Sequence, residues 1–168
     1  MNAIPKIIVI GQAPPLRTYT RPYDGTRFWQ WLGSIGIDES TCDFSFDSVL
    51  TSFPGIDSGG HLRPTRRNEV QARSRLYGRI SELRPDAVVA VGIHASRSLI
   101  PDCTEGSLES LVGRELHIDV PLPVPLVVLP HPSGRSTWIY RDSSNRIALD
   151  SALRVLGGLI VAKSGLTD

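Results

Sequence analysis

The chain has 168 residues, of which 40% are hydrophobic and 21% are charged, and its formal net charge at neutral pH is +1. These values are typical of a soluble domain long enough to bury a core, and the near-neutral charge gives no overall sign of a nucleic-acid partner. The two cysteines are too few for a disulfide framework or an all-cysteine cluster, and no apolar stretch resembles a signal peptide or a membrane helix. We therefore expect one cytoplasmic, monomeric domain over residues 1–168, with no membrane contact, metal or cofactor.

Short apolar runs alternate with segments of helical character along the chain. The predicted strands are residues 6–10, 44–50, 87–91 and 126–129, and the predicted helices are residues 26–35, 64–83, 94–100 and 143–160. Strands rich in Val, Ile and Leu are typically covered on both faces. The alternation predicts a three-layer α/β/α sandwich with a central, mainly parallel, four-stranded sheet. Residues 53–63 and 101–124 are rich in Gly, Pro and Ser and are interpreted as irregular loops.

A tight loop follows the first predicted strand. Its sequence is Gly11-Gln12-Ala13-Pro14-Pro15. In an open α/β sheet, ligands bind just beyond the carboxyl ends of the strands, so this loop is placed to meet one. The Gln12 amide can donate and accept hydrogen bonds, which suits orienting a water or reading the edge of a base. A rigid turn without chemistry is the alternative interpretation.

A second tight loop follows the last predicted strand. Its sequence is His131-Pro132-Ser133-Gly134-Arg135-Ser136. Converging backbone N–H groups around Gly134 would bind phosphate, and Arg135 would add charge. His131 stands just past the strand end, where its imidazole would donate to an anion developing on a ligand. A Pro/Gly-bounded loop with one surface histidine is the alternative. The two loops would meet at one cleft.

Arginine and aromatic residues supply further candidates, since 16 of the 18 basic residues are arginines. The run of arginines from Arg63 to Arg84 is interpreted mainly as a solvated helix face. Arg63 at its start is a candidate DNA phosphate contact, which would position a strand without reading its sequence. Tyr23 lies in a Pro/Asp/Gly loop and is a candidate to stack on a base. His61 and His94 are interpreted as surface or loop residues.

Taken together and in this order, the motifs resemble those of the uracil-DNA glycosylase superfamily. Gly11-Gln12-Ala13-Pro14 looks like its water-activating loop, and His131-Pro132-Ser133 looks like the loop that presses into DNA. The segment Arg21-Pro22-Tyr23-Asp24-Gly25 resembles the one that supplies the aromatic stacking partner of the extruded base. The resemblance implies the fold of that superfamily, DNA as the partner, and cleavage of a base from its sugar.

The resemblance also implies roles for individual residues. Gln12 and His131 would be catalytic, with Gln12 placing the water and His131 donating to the uracil O2. The substrate-binding set would be Ala13, Pro14, Tyr23 and Ser48, or Asp47 if the alignment slips by one residue. The DNA-binding set would be Ser133, Gly134, Arg135, Ser136 and Arg63. Arg135 stands where many relatives carry a leucine wedge.

The chain departs from the superfamily's pattern at three of these positions. Ala13 replaces the acidic water activator of one branch, Gln12 replaces the glutamate of another, and Ser48 replaces an asparagine that reads the base. The iron–sulfur cysteines of some branches are absent. The leading hypothesis is a monofunctional DNA glycosylase acting on uracil or a modified base. The alternatives are a non-catalytic DNA- or lesion-binding module on this fold and an enzyme acting on free nucleotides.

Overall fold

The computed structural model describes residues 3–103 and 106–165, which fold around one five-stranded sheet. The strands of this sheet lie in the order β2-β1-β5-β7-β6. Their bounds are β1 Lys6–Gly11, β2 Asp43–Ser48, β5 Ala87–Val91, β6 Leu116–Asp119 and β7 Pro123–Leu129. Strands β2, β1, β5 and β7 are parallel, and β6 pairs antiparallel with β7. The short strands β3 (Ile56–Asp57) and β4 (Gly60–His61) form a separate hairpin.

Six helices complete the described fold. Their bounds are α1 Phe28–Gly33, α2 Arg66–Leu83, α3 Ile93–Leu99, α4 Leu108–Leu111, α5 Trp138–Arg141 and α6 Ser143–Ser164. Trp29 of α1 packs edge-on against Phe44 of β2, and Ile35 just after α1 lies 3.7 Å from the Cβ position of Gly157 in α6. On the opposite face, Arg75 of α2 bonds Asp47 of β2, and α2 packs against α3. The sheet is therefore the middle of three layers.

The central strands are apolar because both of their faces are covered. All five residues of β5 and Ile7, Ile8, Val9 and Ile10 of β1 are at most 1% exposed. Burial of each valine or isoleucine side chain among them contributes about 1.5–3 kcal/mol relative to leaving it in water. Helix α2 begins with a capping box, in which the Thr65 hydroxyl accepts from the Asn68 N–H and the Asn68 side chain accepts from the Thr65 N–H. It ends at Arg84, which has a left-handed backbone.

The expected α/β/α sandwich with a mainly parallel sheet is confirmed, but the strand number of four is wrong. The fifth strand, β6, lies inside residues 101–124, which the sequence analysis interprets as a loop. Leu116 and Ile118 face the core while His117 and Asp119 are exposed. This edge strand is therefore buried on one face only and lacks the continuous apolar run of β1, β5 and β7. The hairpin β3–β4 likewise occupies the other predicted loop. No helix in the described ranges is long and apolar enough to cross a membrane.

Candidate active site

The carboxyl ends of three neighbouring parallel strands form one edge of the sheet. Ile10 of β1 lies in register with Ala90 of β5, and Val91 of β5 lies in register with Leu129 of β7. Because β5 separates β1 from β7, the chains leaving those two strands start about 10 Å apart, which is two strand spacings. That distance accommodates a planar heterocycle with side chains on either side. Gln12 and His131 each leave the sheet at this edge.

The two loops are joined by a backbone hydrogen bond. The N–H of Arg27, at the end of the loop after β1, donates to the carbonyl oxygen of Pro132 at 3.1 Å. A cavity of about 400 Å³ lies where they meet. Its lining residues are Arg21, Asp24, Gly25, Thr26, Arg27, Trp29, Gln30 and Gly134. The N-terminal loop and the histidine loop therefore contribute to one cavity, although they are more than a hundred residues apart in the chain.

Glycine at the end of the middle strand keeps the space between the loops open. Gly92 follows β5 with φ +84°, a left-handed conformation that side-chain-bearing residues rarely adopt. A Cβ placed there would meet no atom within 4 Å. The Gly92 N–H donates to the Leu129 carbonyl at 2.8 Å, which ties the end of β5 to the end of β7. The position between Gln12 and His131 thus carries no side chain that would fill the cleft.

Tyr23 lies against the end of β1. Its ring stacks on Phe28 with centroids 4.6 Å apart and contacts Phe46 at 6.2 Å. A Cβ on Gly11 would clash with the Tyr23 hydroxyl, so glycine at position 11 is required by this close approach. Tyr23 also has φ +62°, a strained backbone for a tyrosine. Burial raises the pKa of the phenol, which therefore stays protonated at all working pH values.

The structure separates the two candidates for the base-reading position. Successive residues of a strand face opposite sides of the sheet, and Ser48 follows Phe46 on the Tyr23 side. Its hydroxyl donates to the Leu50 carbonyl at 2.6 Å, which leaves the oxygen able to accept. Asp47 faces α2, where its carboxylate accepts from Arg75 Nη1 at 2.8 Å and from the Ser48 N–H. Ser48 rather than Asp47 therefore shares a face with the aromatic wall.

The proton of His131 is placed by its own loop. The N–H of Ser133 donates to His131 Nδ1 at 3.3 Å, so Nδ1 is unprotonated and the proton of the neutral ring is on Nε2. Although the residue is exposed as a whole, protein atoms around the ring desolvate it and lower its pKa. His131 is therefore neutral near pH 7 and presents an N–H donor at the cleft.

Gln12, Ala13 and Pro14 of the first loop are half-buried, and Pro15 is exposed. Gln12 accepts a backbone hydrogen bond from the Leu50 N–H at 3.1 Å, while its side-chain amide makes no hydrogen bond to the described residues. Ala13 and Pro14 follow it and are half-buried at the same strand end. The Gln12 amide is therefore available to a ligand or a water.

The predicted DNA-binding residues lie on the outer side of this edge. Ser133 to Ser136 form a turn closed by a hydrogen bond from the Ser136 N–H to the Ser133 carbonyl at 3.0 Å. Gly134 does not have the left-handed backbone that a phosphate-binding curl would need, and a Cβ there would meet nothing within 4 Å. Arg135 is exposed and reaches the hairpin, with Nη1 4.0 Å from the Cβ position of Gly60. Arg63, just after that hairpin, is also exposed.

Two features of this edge were missed by sequence reasoning. Arg27 joins the two loops, but it stands outside the recognised motifs. His94 was interpreted as a surface or loop residue, whereas its side chain is only 16% exposed and its Nδ1 lies 2.8 Å from Glu69 Oε1. Glu69 is 2% exposed and also accepts from Arg66 Nη1 at 3.1 Å. The sequence signal available for this cluster was an Arg followed three residues later by a Glu in the first turn of a predicted helix, and that signal is weak.

The arrangement matches one known family. The model of the "Uracil DNA glycosylase superfamily" matches residues 1–152 of the chain, a range that contains both loops and all five strands of the sheet. None of the curated proteins matches the chain. Members of this superfamily are typically hydrolytic glycosylases that act on DNA. The chain belongs to the uracil-DNA glycosylase superfamily.

Proposed function

We propose that this chain is a monofunctional DNA glycosylase that hydrolyses the N-glycosidic bond of uracil or a modified base flipped out of DNA. The observation that carries the proposal is the meeting of the two loops at one sheet edge, through the 3.1 Å hydrogen bond from Arg27 to Pro132. In this proposal the aromatic wall of Tyr23 and the neutral His131 donor face each other across the space above Gly92. Family membership supports the reaction class.

The wall beside β1 fits a planar base. Tyr23 is fixed by Phe28 and by contact with Gly11, so its position costs little to maintain when a ligand arrives. Ser48 lies on the same side and offers an acceptor and, after rotation, a donor to the edge of a base. Extruding a base costs a few kcal/mol, which stacking and edge contacts in such a pocket offset.

His131 supplies the electrostatic part of the reaction. As the C1′–N bond breaks, its electron pair passes to the base and negative charge develops on a carbonyl oxygen. The Nε2–H of neutral His131 donates to that oxygen without prior proton transfer, because Ser133 already holds the ring in the required tautomer. Fixed donors aimed at developing charge usually make the largest contribution to catalysis.

Gln12 orients the water that adds to C1′, and the proton that this water loses passes to solvent or to the departing base anion. The two aspartates nearest the site are each held by an arginine: Asp24 by Arg21 Nε at 3.2 Å and Asp47 by Arg75 Nη1 at 2.8 Å. With no acid at position 13, water activation is weak, and the reaction depends on stabilising the leaving base. The same engaged carboxylates favour the second candidate, a DNA- or lesion-binding module that does not cleave.

The two candidates are separated by measuring base release. Wild-type protein is incubated with oligonucleotides that contain one uracil or one modified base, and the free base is quantified. Release that is lost in His131→Ala and reduced in Gln12→Ala supports the glycosylase. Tight, salt-dependent binding of the modified strand with no release from any base tested would establish the binding module instead.

A further inference from the structure

We infer that the cavity between the two loops is a phosphate site in which Arg27 is the charged ligand, and that it takes a phosphate of the DNA strand beside the reacting nucleotide. The inference rests on the proposed function for the identity of the strand. It assigns a binding role to a residue outside both sequence motifs.

Arg27 carries a charge that the protein leaves uncompensated. Its Nη1 is buried and has no hydrogen-bond partner among the described residues, and no carboxylate within those residues forms an ion pair with it. Buried polar atoms almost always have a partner, so Arg27 has hydrogen-bonding capacity that the described protein does not use. Nη1 has almost no accessible surface, so a ligand in the cavity would meet the other N–H groups of the same fork, which form no hydrogen bond to the described residues. The Arg27 guanidinium carbon also lies 5.3 Å from the centroid of the Tyr140 ring, within the range of a cation–π contact.

Arg21, the other arginine that lines the cavity, is already paired with carboxylates and is not available to bind an anion. Arg21 donates to Asp24 at 3.2 Å and to Glu39 at 3.1 Å, and its guanidinium stacks on Trp29 at 4.3 Å. The only acidic residue lining the cavity, Asp24, is thereby neutralised. The attraction for an anion in this cavity consequently comes from Arg27, whose planar fork of donors suits phosphate.

The position of the cavity favours a strand phosphate over an isolated anion. Gly134 of the histidine loop lines it and has open space on its Cβ side, which permits close approach of a backbone. Through the Arg27–Pro132 hydrogen bond, the cavity is adjacent to the segment that carries His131. A phosphate held here would fix the register of the strand while the nucleotide beside it enters the cleft.

The test measures binding of a single-stranded oligonucleotide containing 2′-fluoro-deoxyuridine, which resists hydrolysis, over a range of salt concentrations. Arg27→Gln should raise Kd about tenfold near 0.1 M salt and should reduce the slope of log Kd against log salt by about 0.7, the value for one phosphate contact on a single strand. Arg27→Lys should retain the slope while binding less tightly. Arg154→Gln, an exposed arginine on α6, is the matched control and should change neither.

A neutral methylphosphonate linkage, moved along the strand, locates the phosphate. The wild type should lose about tenfold in affinity at one linkage near the uracil analogue, and Arg27→Gln should be insensitive there. Equal sensitivity of the two proteins at every linkage, or equal salt slopes, overturns the site. An effect of Arg27→Gln on deoxyuridine monophosphate but not on the strand overturns the DNA assignment. Thermal unfolding confirms that both variants are folded.

These outcomes are independent of the proposed reaction. If the wild type releases no base but its salt slope differs from that of Arg27→Gln, the phosphate site is supported and the glycosylase proposal fails. If the wild type releases base and the two salt slopes are equal, the glycosylase proposal is supported and the phosphate site fails.

Discussion

The loop after β1 and the loop after β7 start at the same edge of the sheet but are held in place by different interactions. The first is anchored by aromatic packing: Tyr23 stacks on Phe28 at 4.6 Å and presses its hydroxyl against Gly11. The second is exposed and is shaped by hydrogen bonds, including the 3.3 Å contact from the Ser133 N–H to His131 Nδ1. Packing fixes where a ring can lie, whereas a directed hydrogen bond fixes where a proton lies.

The first loop should therefore determine the shape of the pocket, and the second loop should determine the reaction. A change in the first loop should disturb stability and the shape of the pocket together, because packed atoms have no free volume to move into. A change at an exposed polar residue of the second loop should alter the reaction and leave the free energy of unfolding nearly unchanged. The following substitutions test that division.

The largest effect is expected at His131. His131→Gln should reduce the single-turnover rate of base release about 10²–10³-fold, the usual cost of removing one donor to a developing anion. The midpoint of urea unfolding should not move. His117→Gln, on the exposed edge strand β6, is the control and should retain the wild-type rate. A His131→Gln protein with a wild-type rate would contradict the chemical role of this loop.

Gly11→Ala tests the packed loop. The new Cβ would clash with the Tyr23 hydroxyl, so the ring must shift, and overpacking of this kind typically costs about 1–3 kcal/mol. We expect a lower free energy of unfolding and weaker binding of the base. Adding Tyr23→Phe removes the clashing oxygen, so the double variant should recover most of the loss in stability. Additive effects of the two substitutions would show that the contact does not determine the geometry.

The parts of the fold that the sequence predicts are those with a strong local pattern. Continuous apolar runs identified β1, β5 and β7, because burial on both faces leaves no room for polar residues. In β2, Phe44 and Phe46 alternate with polar residues, and every residue of the strand is at least partly exposed. Strand β6 was missed since its alternation spans only Leu116 to Asp119. Four residues of alternation are too few to distinguish an edge strand from a loop.

Candidate site residues could be named from the sequence only where a motif contains them. The resemblance names Gln12, Tyr23 and His131 as candidates, and the parallel topology explains why the loops that carry them start at one edge of the sheet. It left Ser48 and Asp47 as alternatives, because a one-residue slip changes the face of a strand and only the Arg75 contact reveals that face. Arg27 was not found, because its significance depends on Pro132 and Tyr140, which are distant in sequence.

The pH dependence of the rate tests the proton on His131. Desolvation lowers the pKa of His131 below its usual 6.5, so the neutral ring persists to slightly acidic pH. Protonation at Nδ1 would abolish its bond with the Ser133 N–H and distort the loop. The rate of base release should be constant between pH 6.5 and 8. Below that range it should fall, by up to tenfold per pH unit, as the pH drops through the lowered pKa of His131.

The free energy of unfolding should depend on pH in the same direction. Because the pKa of His131 is lower in the folded than in the unfolded chain, the full stability is present above pH 6.5, where the ring is neutral in both states, and part of it is lost as the pH falls through the folded pKa. His131→Gln should remove the acid limb from its residual rate. An acid limb centred above pH 6.5 would show that another group controls the reaction.

The smallest effect on catalysis is expected for the pair of Glu69 in α2 and His94 in α3, the helix that follows β5. Glu69 accepts from Arg66 at 3.1 Å and pairs with His94 at 2.8 Å, a buried arrangement that joins α2 to α3. Glu69→Gln keeps an acceptor but removes the charge, so we expect a loss of about 1 kcal/mol in the free energy of unfolding. Base release should remain within about threefold of wild type, because electrostatic stabilisation of the leaving base comes from His131.

The same helix provides a matched control for this last substitution. Glu82 accepts from Arg79 at 3.2 Å with the same three-residue spacing, but its side chain is 71% exposed. Glu82→Gln should leave urea unfolding unchanged, because exposed ion pairs contribute little. A large fall in the base-release rate of Glu69→Gln, with stability retained, would mean that the Glu69–His94 pair acts in the reaction. The chemistry would then come from two strand ends instead of from the β7 loop alone.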